Sequence, residues 1–142
     1  MALQQLIYAS EPFGFDDAML AGILLDARRC NSRDGITGAL IVRGDLYIQL
    51  LEGPKKKVDE CYARIRQDDR HANTRTLMKR TIKTRLFPDW AMKDDPAQSW
   101  VWSMSDVRDG AVDRATEDEA LGFFTRLAAD SVAAFPPKGV AQ

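Results

Sequence analysis

The chain has a single histidine, two cysteines and no apolar run near the ~20 residues that a membrane-spanning helix needs. Each shortage excludes something. Cys30 and Cys61 lie far apart in no metal-ligand spacing, and two thiols do not make the disulfide framework of a small secreted domain. A reducing compartment suits them. His71 ends the polar stretch Gln67-Asp68-Asp69-Arg70-His71, read as a loop, and no Cys, Ser or Asp pattern nearby forms a nucleophile elbow, a zinc site or a phosphate loop. A hydrolase or metal enzyme is therefore not expected, and no metal is assigned. Met1-Ala2-Leu3-Gln4-Gln5-Leu6-Ile7 has no cationic stretch leading into a long apolar one, so the expectation is a cytoplasmic protein with no membrane contact. Charge of one sign is also scarce: the net is −1, divided as +4 over residues 1–93 and −5 over residues 94–142. That excess is too small for nucleic acid, where several phosphates must be neutralised, but it accommodates one anionic cofactor.

What is present is ordinary globular composition, 45% hydrophobic and 29% charged in 142 residues, without repeats or low-complexity segments. A chain of this length buries roughly 68–70% of its unfolded surface, so one compact domain is expected. Leu3 to Ser10 reads as a strand, and Asp16 to Asn31 as an amphipathic helix carrying Leu20, Ile23, Leu24 and Ala27 at helical spacing. Thr37–Val42 and Leu46–Glu52, joined by Arg43-Gly44-Asp45, predict an antiparallel hairpin with a tight primed turn. Both of its strands are apolar on both faces, so the sheet must be covered on both sides. Pro54 opens a second helix with Val58, Cys61, Tyr62 and Ile65 on one stripe; Thr74–Thr84 is a fourth strand and Trp90-Ala91-Met92 a short fifth. The order βαββαββ is an α+β, ferredoxin-like plan with two helices on one face of the sheet. A tail helix, capped by Thr116 with Glu119 and closed by Pro136-Pro137, is the natural cover for the other face. The division expected is a core over 1–93 and a C-terminal helical extension over 94–142.

Three polar residues interrupt apolar elements: Tyr8, Asn31 and Gln49. Gln49 is the oddest, because an amide between Ile48, Leu50 and Leu51 has donors and an acceptor that hydrocarbon cannot satisfy. A core hydrogen bond to Tyr8 and a ligand site both account for it. Gly35-Ile36-Thr37-Gly38 precedes a strand, whereas a phosphate-cradling loop follows one, so it is read as a turn.

Leu6-Ile7-Tyr8-Ala9-Ser10, Asn31 with Gly35-Ile36-Thr37-Gly38-Ala39-Leu40, Gln49-Leu50-Leu51-Glu52-Gly53, Asp68-Asp69-Arg70-His71 and Phe87-Pro88-Asp89-Trp90-Ala91-Met92 follow one another in an order and spacing that resemble the BLUF domain, a blue-light sensor using FAD. The resemblance covers residues 3 to about 93. It implies a flavin, FAD or alternatively FMN, between the first two helices, its ring flanked by Ile23 and Ile65. Asn31 then binds the pyrimidine edge, Gln49 sits between Tyr8 and the ring, and Arg64 and Asp68 make further polar contacts. In the family scheme Tyr8 gives up an electron and then a proton, Gln49 is left rotated or tautomerised, and no substrate is converted. Trp90 and Met92, on one face of the fifth strand, match residues that respond to the glutamine and pass the signal to the tail helix.

Two features depart from the family pattern: Cys30 stands where polar residues are common, and Lys55, Lys56 and Lys57 crowd a helix start against its dipole. The expected partners are the flavin, a separate effector protein and a second copy of the chain. Two other readings compete on the same plan, a hydrolase or flavin oxidoreductase and a cofactor-free interaction module.

Overall fold

A computed structural model describes residues 3–12, 17–68, 71–88, 92–97 and 100–134. Among them run β1 (Leu3–Pro12), α1 (Asp17–Asp34), β2 (Thr37–Arg43), β3 (Leu46–Pro54), α2 (Lys55–Arg66), β4 (His71–Ile82), β5 (Lys93–Pro96), α3 (Met104–Arg108) and α4 (Glu117–Ala134). The five strands form one sheet in the order β4-β1-β3-β2-β5, antiparallel except for the parallel β2–β5 pair. This is the expected ferredoxin-like α+β plan.

Strand alternation sorts the core into two layers. Leu6 and Tyr8 of β1, Leu40 of β2 and Tyr47 and Leu51 of β3 face Ile23 and Leu24 of α1 and Val58, Cys61 and Tyr62 of α2. The opposite parity, Ile7, Ala9, Ala39, Ile41, Ile48 and Leu50, faces Phe123, Phe124 and Leu127 of α4. Trp102 is buried on this second face and Trp100 packs against it; their rings lie 4.9 and 6.4 Å from that of Phe123. Each face of the sheet is thus covered, as its doubly apolar strands require.

Several local expectations hold. Gly35 has φ +72°, and Ile36 N–H reaches back to the Asn31 carbonyl at 2.9 Å, the six-to-one bond of a Schellman helix end. Thr116 Oγ1 accepts from Glu119 N–H at 3.1 Å ahead of α4. Lys55 and Lys57 pair with Asp59 and Glu60 on an exposed helix face.

Other expectations are corrected. Neither Gly44 nor Asp45 has positive φ, so the hairpin turn is not primed; the Arg43 guanidinium instead grips the Asp45 carboxylate across it and donates to the Trp102 carbonyl. His71 opens β4 opposite Pro12 rather than lying in a loop. The fifth strand begins at Lys93, one residue beyond Met92, because its backbone pairing with β2 is Ala39↔Lys93 through Val42↔Pro96. Trp90 and the Pro136-Pro137 stop lie outside the described residues. The five-residue α3 carries a full capping box between Ser103 and Asp106 that was not anticipated.

Candidate functional site

Tyr8 and Gln49 are direct cross-strand partners in the β1–β3 register, both on the face covered by α1 and α2. Antiparallel neighbours on one face lie close enough to interact, and the Tyr8 hydroxyl donates to Gln49 Oε1. Tyr8 is fully buried and Gln49 is 3% exposed. At its other end the amide is held too, since Gln49 Nε2 donates to Met92 Sδ at 3.2 Å. Met92 is positioned independently by Arg28 of α1, whose Nε donates to its carbonyl at 3.1 Å. A tyrosine, an amide and a thioether therefore form a dry chain from β1 through β3 to the start of β5.

This chain can occupy two states. Rotating the carboxamide by half a turn exchanges its donor and acceptor ends without moving the backbone. The Tyr8 hydroxyl accepts as well as donates, so it keeps a bond either way, whereas the Met92 sulfur accepts weakly and never donates. Only one orientation of Gln49 holds Met92. Burial, then the negative charge that Cys61, Tyr62, Asp68 and Tyr47 can carry, pushes the Tyr8 phenol well above its ordinary pKa of 10.0. The phenol therefore stays protonated through the neutral range.

Over Gln49, between α1 and α2, lies a cavity of about 300 Å³. Its lining includes Ile23, Asn31, Gln49, Arg64, Ile65 and Asp68, the six side chains expected to hold a cofactor. The helix end at Gly35 fixes Asn31, which is 1% exposed, and Cys61 Sγ donates to its Oδ1 at 3.8 Å. Arg64 is half exposed at 3.6 Å from Asp34. Cys30, Cys61, Asp26, Ala27 and Arg29 complete the lining. The volume is at the lower end of small-molecule sites, and apolar walls with a few convergent polar groups are their usual chemistry. Two apolar isoleucines and two buried carboxamides suit a flat heterocycle with an amide-like edge, so the residues fit a flavin ring.

Sequence reasoning missed the contacts that Tyr62 and Arg28 make at this site and a backbone irregularity beside it. Tyr62 tilts over Tyr8 with ring centroids 5.2 Å apart, and its hydroxyl bonds Thr76 Oγ1 at 2.7 Å. A register shift in the β1–β4 pairing falls beside Tyr8, between Ile7↔Met78 and Tyr8↔Thr76. Arg28 was read only as part of a helix. Glu52, quoted within a motif, is a fully buried carboxylate on the opposite face of the sheet. Strand parity alone signalled that its side chain turns away from Gln49.

The fold is an α+β domain with a cavity of small-molecule size lying over a buried Tyr8–Gln49–Met92 hydrogen-bond chain. Residues 3–93 match the family model described as BLUF, sensors of blue light using FAD. The chain is 33% identical over 97 residues to the photoactivated adenylate cyclase subunit beta-like protein FB of Euglena gracilis, covering 68% of this chain and 11% of that protein. It is 32% identical over 105 residues to the blue light- and temperature-regulated antirepressor BluF of Escherichia coli K12, covering 69% of this chain and 26% of that one. Among solved structures, BlrB, a BLUF protein in its dark state, superposes with a TM-score of 0.76 at 27% identity, covering 91% of this chain and 97% of that chain. The photo-activated state of BlsA gives 0.72 at 26%, covering 89% and 94%. The chain belongs to the BLUF family of blue-light sensors that use a flavin. It spans about a tenth of the length of its cyclase relatives. Among the described residues, no helix is long and apolar enough to cross a membrane.

Proposed function

We propose that this chain is a blue-light photoreceptor that seats the ring of FAD between α1 and α2 and reports light by rearranging Tyr8, Gln49 and Met92. The observation that carries the reading is the Tyr8–Gln49–Met92 chain lying directly beneath a cavity lined by all six expected contacts. When bound, the flavin supplies blue absorption and, once excited, a one-electron oxidant. Ile23 and Ile65 wall the ring, Asn31 offers its carboxamide to the pyrimidine edge, and Arg64 and Asp68 contact the polar remainder of the cofactor. Tyr8 would give an electron and its phenolic proton to the bound flavin and take both back from it, so no substrate would be consumed. With the cofactor bound, Gln49 would turn or tautomerise in that interval, freeing its amide to donate to the flavin and releasing Met92. Such a hydrogen bond would shift the flavin's absorption to the red.

Sensing belongs to residues 1–93 and output to residues 94–142, a division supported by the family match over 3–93 and by the packing of α4 on the far face of the sheet. The output acts on a separate effector protein rather than on a reaction catalysed by this chain.

The deciding experiment is the absorption spectrum of the purified protein before and after blue light, repeated on Tyr8→Phe and Gln49→Leu, with chromatography of the released flavin. A flavin spectrum that shifts red, recovers in the dark and stops shifting in either variant is expected. A bound flavin without a shift would indicate a flavoenzyme, and a colourless protein would sink the reading.

A further inference from the structure

The segment joining β4 to β5 links opposite edges of the sheet, which β1, β3 and β2 separate. Connections usually stay in water because buried backbone polar groups need partners. This one is buried at its middle, where Phe87 is fully enclosed. Its partners come from the central strand: the Glu52 carboxylate accepts from Leu86 N–H at 2.9 Å, from Phe87 N–H at 2.8 Å and from Gln5 Nε2 at 2.7 Å. Arg80 in turn donates to Gln5 Oε1 at 2.9 Å. Arg85 adds a second clasp, donating to the carbonyls of Gly35 and Glu52 and to Thr37 Oγ1 at 2.8 to 3.2 Å.

A buried carboxylate is a costly way to hold a loop, and apolar packing often serves stability as well. What the carboxyl group adds is a fixed point, because its two oxygens accept from two successive N–H groups and so set the position and direction of the backbone. On one side of that point the Phe87 ring meets Phe124 of α4 edge-on, with centroids 6.3 Å apart. On the other side, five residues along the chain, Met92 receives the Gln49 amide. We propose that Glu52 is a positioning residue, the pivot through which release of Met92 on one face of the sheet moves Phe87 against α4 on the other. The inference rests on the photoreceptor reading and specifies how its signal crosses the sheet.

The test is hydrogen exchange of residues 117–134 in darkness and under continuous blue light, with the flavin spectrum recorded on the same samples. In the native chain light should change exchange in α4. Glu52→Gln replaces one acceptor oxygen by a donor that opposes the loop's N–H groups. This variant should keep the red shift and the dark exchange pattern but lose the light-dependent change. A retained change in Glu52→Gln, or no change in the native chain despite a red shift, overturns the pivot and leaves the photoreceptor reading standing. A native chain with no red shift removes both. Should Glu52→Gln not fold, Phe87→Leu keeps the clasp and removes the ring contact. Loss of the α4 response there supports the pivot, and its survival overturns it.

Discussion

Tyr8 and Gln49 should be energetically coupled, and the coupling is measurable without light. Tyr8→Phe deprives Gln49 Oε1 of its donor at a position that is 3% exposed. Leaving a buried acceptor unsatisfied costs about 1–3 kcal/mol. Gln49→Leu takes this acceptor from the fully buried phenol and also removes the Met92 contact, for a loss of similar size reduced by the apolar surface that leucine buries. Replacing both partners leaves neither half of the bond, and such paired removals are nearly neutral. The double variant should therefore be more stable than the sum of the singles by about 1–2 kcal/mol, within the range found for contacting residues. The assay is urea unfolding of the four flavin-free proteins in the dark, because ligand would add its own linkage. Thermal midpoints give a second readout, at about 2–4 °C per kcal/mol for a domain of this size. Additivity within about 0.5 kcal/mol would refute the claim that the two groups share a dry hydrogen bond.

Three further outcomes follow from the geometry. Burial pushes the Cys61 thiol up to about 11, so a maleimide at neutral pH should label the partly exposed Cys30 first, and the Cys61 rate should rise about tenfold per pH unit up to that value; equal rates near pH 7 would contradict it. Burial acts to raise the Asp59 carboxyl, yet hydrogen bonds from Lys55, Gln4 and Lys79 outweigh it and bring the pKa down to about 2. A depressed carboxylate stabilises the fold above its unfolded pKa of about 3.9 and loses that contribution as pH falls towards 2, so Asp59→Asn should cost less than about 1 kcal/mol at pH 7, given its exposure, and nothing near pH 2 in urea titrations. A Cβ on Gly38 would sit 1.9 Å from the Leu50 carbonyl oxygen, whereas one on Gly44 meets open space. Gly38→Ala should therefore lose about 2–3 kcal/mol or fail to fold, and Gly44→Ala should stay within about 0.5 kcal/mol, as judged by circular dichroism during urea unfolding.

Much of the site was legible because it rests on short-range rules. An amide in an apolar strand advertised its need for a partner, and the family resemblance, not the alternation, set Gln49 beside Tyr8. Helical spacing put Ile23, Ala27 and Asn31 on one stripe, and Gly35 marked the turn that ends it. The family motif supplied the roles, and the cavity brought their residues together.

Other features have no local signature. The fifth strand, Lys93-Asp94-Asp95-Pro96, lacks apolar alternation and forms because its backbone finds the open edge of β2. Three charges followed by a proline carry no strand signal in the sequence. Arg28, Tyr62 and Arg85 look like ordinary helix or loop residues until pairing sets Met92, Tyr8 and Gly35 beside them. Glu52 meets Gln5 only through the β1–β3 register, and Phe87 only where the crossing segment passes under α4. The amino-acid order alone determined which faces are apolar, where the chain turns and which polar groups needed partners. Tertiary structure decided which partners they found, because contacts between residues forty or more apart depend on strand register and on the path of connections that local pattern does not encode.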